Sequence, residues 1–250
     1  MKDTMEFSRQ TVAEIVMDNP KSMTVFSKLG IDYCCGGKLS LEAACNKKHL
    51  NIADVEAALR KSAHESDAIP SADEPQTWPL DRLAAHIVSK HHSFVAEQTP
   101  EILRLLDKVS TRHGDAHPEL HEINSIFKAV AGELVMHMKK EELMLFPAIK
   151  HLAAVERGDA IYRTPPFGSV AHPIVMMEHE HENAGGGLDR VRSLTNNYVL
   201  PEGACMSYAH TYQLLDAFEQ DLHLHVHLEN NILFPKAVAL EEAIAKVSLT

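Results

Sequence analysis

From Pro79 onward, apolar residues return every third or fourth position over long stretches, with little of the strict alternation that marks strands. This period predicts four long helices, at 79–112, 118–156, 173–196 and 204–234 with its tail. Breaks fall at Gly114, at 158–168 and at 196–203, where glycine and small polar residues gather. Pro100 and Pro147 are expected to kink or end their helices, because each lacks a donor and crowds the preceding turn. Four long helices with short connections predict an all-α, up-and-down four-helix bundle. Upstream, 66–78 carries prolines and small polar residues and reads as a linker. Before it the period is shorter, predicting helices at 11–18, 21–29, 41–47 and 52–65. Pro20 and Gly30 frame the second of these, and Ser40 and Asn51 cap the last two. The chain thus divides into a small helical module (1–65), a linker (66–78) and the bundle (79–250). About 60 residues make only a marginal core, so the module is expected to pack on something else.

The apolar stripes of the bundle are interrupted by a repeated set of polar residues. Helix four presents Leu215, Phe218, Leu222, His225, Glu229 and Ile232 on one face; helix two presents Ile126, Val130, His137, Glu141 and Met144. The two align without gaps: His, Glu at +4, then Leu-Phe-Pro, ending in Phe146-Pro147 and Phe234-Pro235, 88 residues apart. Their partners repeat as well. His92, between Val88 and Val95, and His181, between Met177 and Ala184, stand 89 residues apart. The bundle therefore reads as a duplicated helical hairpin.

Positions i and i+4 of a helix share a face, so each His–Glu pair can offer an imidazole and a carboxylate to one point. Charge in an apolar interior is costly unless paired or bound to metal. Four histidines and two glutamates that can bridge suit a pair of divalent first-row ions, most naturally iron, with positions left for water, an oxo bridge or a diatomic gas. His91 competes with His92, since both have apolar neighbours. His223 and His227 flank His225 but point elsewhere on a helix, and are expected at the periphery or as groups supporting the ligands. The eight histidines at 86, 113, 117, 121, 151, 172, 179 and 210 are expected to be exposed or structural.

Composition narrows the partners. Lys+Arg 24 against Asp+Glu 35 gives a net charge of -11, the wrong sign for nucleic acid or an anionic membrane surface. No apolar run reaches the length of a membrane span, and the first ten residues lack a signal-peptide core. Four cysteines are too few for a disulfide scaffold, which suggests a cytoplasmic protein with reduced thiols. Cys34 and Cys35 stand adjacent before Gly36-Gly37, a poor setting for a structural disulfide. The glycines are expected to form a tight turn with accessible thiols, making the pair either a packed, inert one or a redox or metal-handling one. Cys45 and Cys205 are expected to be buried.

Gly30-Ile-Asp-Tyr-Cys-Cys-Gly-Gly-Lys38, the segments 137–147 and 225–235, and Glu180-His181-Glu182 with Ala184-Gly185 together resemble the iron–sulfur cluster repair di-iron proteins, the repair-of-iron-centres family. The resemblance covers nearly the whole chain and implies a cysteine module followed by a hemerythrin-like bundle. It implies two non-haem irons per chain, held by His92, His137, Glu141, His181, His225 and Glu229. Glu141 and Glu229 would bridge, and His92 is chosen over His91. Glu133 and Glu180 would line a path to the metals. The implied role is repair of clusters damaged by nitric oxide or peroxide, by donating iron, in a cytoplasmic homodimer. Its partners would be damaged iron–sulfur proteins and nitric oxide or another diatomic gas. A nitric oxide- or dioxygen-binding or reducing protein of the hemerythrin type is the alternative, so enzymatic turnover stays open. Gly185-Gly186-Gly187 departs from the family, and is expected to bend or loosen helix three beside His181.

Overall fold

The pattern of caps and breakers is realised as a wholly helical architecture in the computed structural model, which describes residues 7–64 and 75–248. The expected end of the fourth short helix and most of the expected linker lie outside the described residues. Pro75–Thr77 form a single 3₁₀ turn. Among the described residues there is no strand, only an isolated bridge between Thr11 and Ser40. By contacts the chain forms two compact units, one of residues 1–78 with 226–235 and one of residues 79–225 with 236–250.

The first unit contains α1 (Val12–Asp18), α2 (Ser22–Leu29), α3 (Leu41–Lys47) and α4 (Ile52–His64). Thr11 opens α1 with a capping box, its hydroxyl taking the Glu14 N–H while the Glu14 carboxylate takes the Thr11 N–H. Gly30 ends α2 at φ 66°, a left-handed conformation that would strain any other residue. Ser40 caps α3 through the Ala43 N–H. Val12, Ile15, Phe26, Ile31, Leu41, Val55 and Leu59 fill a common core, with Cys45 inside it as expected. The partner that such a small core requires is the stretch 226–235, which clusters with it.

Three of the four bundle rods are interrupted helices. The first comprises α5 (Leu80–Ile87) and α6 (Ser93–His113), the second α7 (Glu119–Lys140) and α8 (Phe146–Glu156). The third is α9 (Ala171–Leu194) and the fourth α10 (Met206–Leu228) with α11 (Phe234–Ser248). α7 packs on α6 and α9, and α5 packs on α8. Phe218 of α10 meets Phe94 and Phe127 across the interior, with ring centroids 6.5 and 5.1 Å away. Each break is a π turn, at Val88–His92, Glu141–Leu145 and Glu229–Leu233. In the last two, the Phe146 and Phe234 N–H groups bond the Glu141 and Glu229 carbonyls five residues back. The following Pro147 and Pro235 explain the widening, since a proline ring does not fit the normal α-helical turn before it. Pro100 behaves differently. α6 runs through it, and it lies exposed, where water can satisfy the carbonyl it leaves without a donor.

The glycine run does not break helix three: α9 is continuous from Ala171 to Leu194. A Cβ at Gly187 would stand 2.6 Å from Val130 Cγ2 of α7, so this glycine permits close helix packing. Gly186 has nothing within 4 Å of its Cβ direction. Gly186→Ala should therefore stabilise the protein by about 0.4–1 kcal/mol through the unfolded chain's entropy. Gly187→Ala should instead destabilise it, because the added Cβ runs into Val130 and forces α7 and α9 apart. Thermal melts of the two variants should move in opposite directions.

Candidate metal centre

The α-helical period of α7 and α10 turns His137 and His225 inward, and the π turns begin at the two glutamates that follow them by four residues. His92, His137, Glu141, His181, His225 and Glu229 are each no more than 3% exposed. They fall into two groups able to hold a cation: His92, Glu141, His225 and Glu229, and His137, Glu141, His181 and Glu229. Within each group the donor atoms lie within 4.8 Å of one another, and the two groups have both glutamates in common. Neither Glu133 nor His91 belongs to either group. Glu133 is exposed. His91 is buried, but its Nδ1 faces Asp221 Oδ1 at 3.0 Å and its ring stacks on His225 at 5.6 Å.

Glu141 is the decisive residue for fit. It is fully buried, and neither carboxylate oxygen has a hydrogen bond. Oε2 instead lies 3.3 Å from His92 Nε2 and 3.4 Å from His137 Nε2. The outer nitrogens of those two rings are held from behind. His92 Nδ1 lies 2.7 Å from Glu142 Oε1, and His137 Nδ1 lies 2.9 Å from Glu180 Oε2. A carboxylate accepting the Nδ1–H fixes the tautomer that leaves the Nε2 lone pair pointing inward, the arrangement of a metal-ligating histidine. His181 Nε2 meets His137 Nε2 at 3.0 Å. Partial burial pushes the Glu180 carboxyl up, but Lys140 and His137 outweigh it and hold the group below its ordinary value. Imidazoles and unsatisfied carboxylates facing inward in an apolar bundle are a donor set suited to first-row divalent cations. A cleft of about 500 Å³, lined by Val88, His92, Val95, Ala96, Met138 and Glu142 among others, reaches His92 from outside.

The outer carboxylates Glu142 and Asp221 were not singled out from the sequence. Glu142 sits directly after a candidate ligand, and Asp221 is four residues before His225, so a search for acids beside or one turn from the candidate ligands would have found both. His223 stands near Glu219, at 3.9 Å. His227 is buried rather than peripheral, and its Nδ1 turns away from the donor groups to face the Tyr33 carbonyl at 3.3 Å. Burial lowers its pKa against the opposing effect of that carbonyl.

The thiol pair also departs from expectation. Cys34 is buried and Cys35 half-buried, whereas Cys205 is exposed rather than buried. The Asp32 carboxylate gathers the loop, accepting from the N–H groups of Cys34, Cys35 and Gly36 at 2.9 to 3.0 Å. The turn uses its glycines for close approach, since a Cβ at Gly37 would stand 2.8 Å from the Tyr33 carbonyl oxygen. The adjacent Cys35 thiol, burial and the Asp32 charge all push the Cys34 thiol well above its ordinary range.

A helical bundle whose interior offers two overlapping His–Glu groups is a cation-binding bundle of the hemerythrin type. The family described as hemerythrin HHE cation binding domain matches residues 83–237, and a domain of unknown function, DUF542, matches residues 8–63. Along its length the chain is 37% identical, over 238 residues, to the iron-sulfur cluster repair protein YtfE of Pectobacterium atrosepticum, covering 94% of this chain and 99% of that protein. The protein of the same name from Yersinia pseudotuberculosis is 37% identical over 235 residues, again covering 94% and 99%. The probable iron-sulfur cluster repair protein of Haemophilus influenzae is 33% identical over 234 residues, with the same coverage. The chain belongs to the family of these iron–sulfur cluster repair proteins. Among the described residues, no helix is long and apolar enough to cross a membrane.

An unsatisfied buried carboxylate destabilises the metal-free fold. Glu141→Leu should raise the melting temperature of chelator-treated protein, because it removes a buried charge whose desolvation the fold otherwise bears. The same change should abolish the stabilisation that added ferrous iron gives the parent chain.

Proposed function

We propose that the bundle holds two iron ions per chain and that the protein repairs damaged iron–sulfur clusters by supplying iron. In this reading Glu141 and Glu229 would be common to both ions, with His92 and His225 holding one and His137 and His181 the other. The observation that carries it is the sharing of the same two buried glutamates by both groups. One ion would not need six converging donors, and two ions sharing two carboxylates leave positions free on each. The names of the relatives supply the clients, damaged iron–sulfur proteins.

Bound iron supplies a ferrous–ferric couple and open coordination positions. The chain's own residues set how tightly it is kept. Glu142 and Glu180 orient the imidazoles of His92 and His137, and Lys140 pairs with Glu180. Carboxylate and imidazole donors hold ferrous iron less tenaciously than a thiolate cage, which suits a protein whose iron is cargo. A second reading, binding or reduction of nitric oxide or dioxygen, is favoured by the apolar-lined cleft that reaches His92. Stress by nitric oxide or peroxide supplies both the damage and the gas. Homodimers and a cytoplasmic location belong to the same reading through the resemblance.

Glu141→Ala and Glu229→Ala should each reduce bound iron from two per chain to one or none, measured by metal analysis of anaerobically loaded protein. His92→Ala should do the same and His91→Ala should not. The reverse pattern would mean that the first rod is turned by about 100°, one residue of helix.

Donor and carrier separate in a repair assay. Iron-loaded protein mixed with a nitric oxide-damaged iron–sulfur enzyme should lose iron as that enzyme regains activity. Full retention of both irons while the enzyme stays inactive would replace the donor reading with the gas-handling one.

A further inference from the structure

The function proposed for the bundle makes no use of the loop at residues 32–37, yet that loop holds the only other group among the described residues with the make-up of a cation site. One carboxylate oxygen of Asp32 and the sulfurs of Cys34 and Cys35 lie within 4.8 Å of one another. Cys34 Sγ is 3.1 Å from Asp32 Oδ1 and 4.0 Å from Cys35 Sγ. Two sulfurs bound to one tetrahedral ion at about 2.3 Å each would stand about 3.8 Å apart. The thiols already stand close to chelating separation, and a small opening or closing of the sulfur–metal–sulfur angle covers the difference.

The loop is also braced in that conformation. Asp32 accepts three successive backbone N–H groups, which fixes the turn, and the carboxylate's remaining acceptor position is the one the Cys34 thiol faces and would yield to an ion on losing its proton. Asn231 Nδ2 donates to the Cys34 carbonyl at 3.1 Å, and His227 Nδ1 faces the Tyr33 carbonyl at 3.3 Å. A Cβ at Gly36 would stand 2.9 Å from the Asp32 carbonyl oxygen, so the glycine permits the tight return of the chain. Cys35 is half-buried, which gives an ion a way in, while buried Cys34 supplies the inner wall. Two sulfurs and a carboxylate so placed are a soft, anionic donor set, unlike the imidazoles and carboxylates of the bundle.

We propose that Asp32, Cys34 and Cys35 form a second cation site, which takes one thiophilic divalent ion through two thiolate sulfurs and one carboxylate oxygen. Each thiol passes its proton to solvent as its sulfur binds, so no oxidant or reductant is consumed. Solvent or a thiol of a recipient protein completes the coordination, which makes the site a point of hand-over. That the ion is ferrous iron rests on the repair function proposed above; the existence of the site does not.

Cobalt(II) is the probe, because cobalt bound to thiolate absorbs in the near ultraviolet and cobalt bound to imidazole and carboxylate does not. Reduced, metal-free full-length protein titrated anaerobically with cobalt(II) should develop the thiolate band, saturating at one cobalt per chain beyond those the bundle takes. Cys35→Ser and Cys34→Ser should each lose the band while circular dichroism stays helical. Cys205→Ser, whose sulfur is exposed and lies 3.3 Å from His113 Nε2, should keep it. Absence of the band in the parent chain, or its survival in a Cys34→Ser/Cys35→Ser double variant, would overturn the proposal. Iron content of the bundle, measured in the same variants, reports separately on the carboxylate–imidazole centre, so failure of one site is not read as failure of the other.

Discussion

A carboxylate in the middle of a helical bundle has to be answered by something, and in this protein Glu141 is not answered by hydrogen bonds. Leaving one ionised group in an apolar interior costs several kcal/mol even after relaxation. Two imidazole nitrogens stand within 3.4 Å of it, each on a ring whose Nδ1 faces an outer carboxylate. A cation settles this imbalance at once, satisfying both the carboxylate and the inward lone pairs. Folding and metal loading are therefore linked: whatever binds the native state and not the unfolded chain adds to stability in proportion to the logarithm of its concentration over Kd. The register of the rods, the π turns and the outer carboxylates all bear on where this one charge sits.

The outer carboxylates graduate that demand from surface to centre. Glu142 is 43% exposed at its side chain and Glu180 26%, whereas the imidazoles they hold are buried. Each negative charge that orients a ring thus stays partly hydrated, and its cost is moderated by solvent and, for Glu180, by Lys140. An arrangement closed on every side would hold a cation more permanently. Partners that keep contact with water can be displaced by it, which loosens the imidazole behind them. That property fits a centre that must be filled and emptied better than one that is filled once.

Much of this was legible in the sequence because the relevant periods are strong. The 3–4 spacing of apolar residues located the rods to within a few residues, and the repeated His-x₃-Glu with its trailing Phe-Pro marked the polar residues that converge. The π turns were not legible. A proline after a helix segment announces that something must give, but whether the chain kinks, ends or takes in one extra residue depends on packing around it, as the uninterrupted passage of α6 through Pro100 shows. Spacing alone left His91 and His92 undecided for a similar reason. Both have apolar neighbours, and the π turn at Val88–His92 that sets their direction is a tertiary outcome. The glycine run misled through propensity: the cost of glycine in a helix is real, but at Gly187 it is outweighed by the approach of α7 that only a missing Cβ allows.

Burial of Cys34 and His227 was invisible for a different reason. Neither belongs to a periodic stripe of its own segment; both are covered because the small N-terminal core is completed by residues 226–235, far away in sequence. That stretch carries His227 and Asn231, which face the carbonyls of the cysteine loop, and between them Glu229, whose carboxylate belongs to both His–Glu groups. One turn of helix therefore holds the sulfur-bearing loop and one of the two shared carboxylates. A change in the π turn there would be felt at both, because Glu229 cannot move along the helix axis without carrying His227 and Asn231 with it.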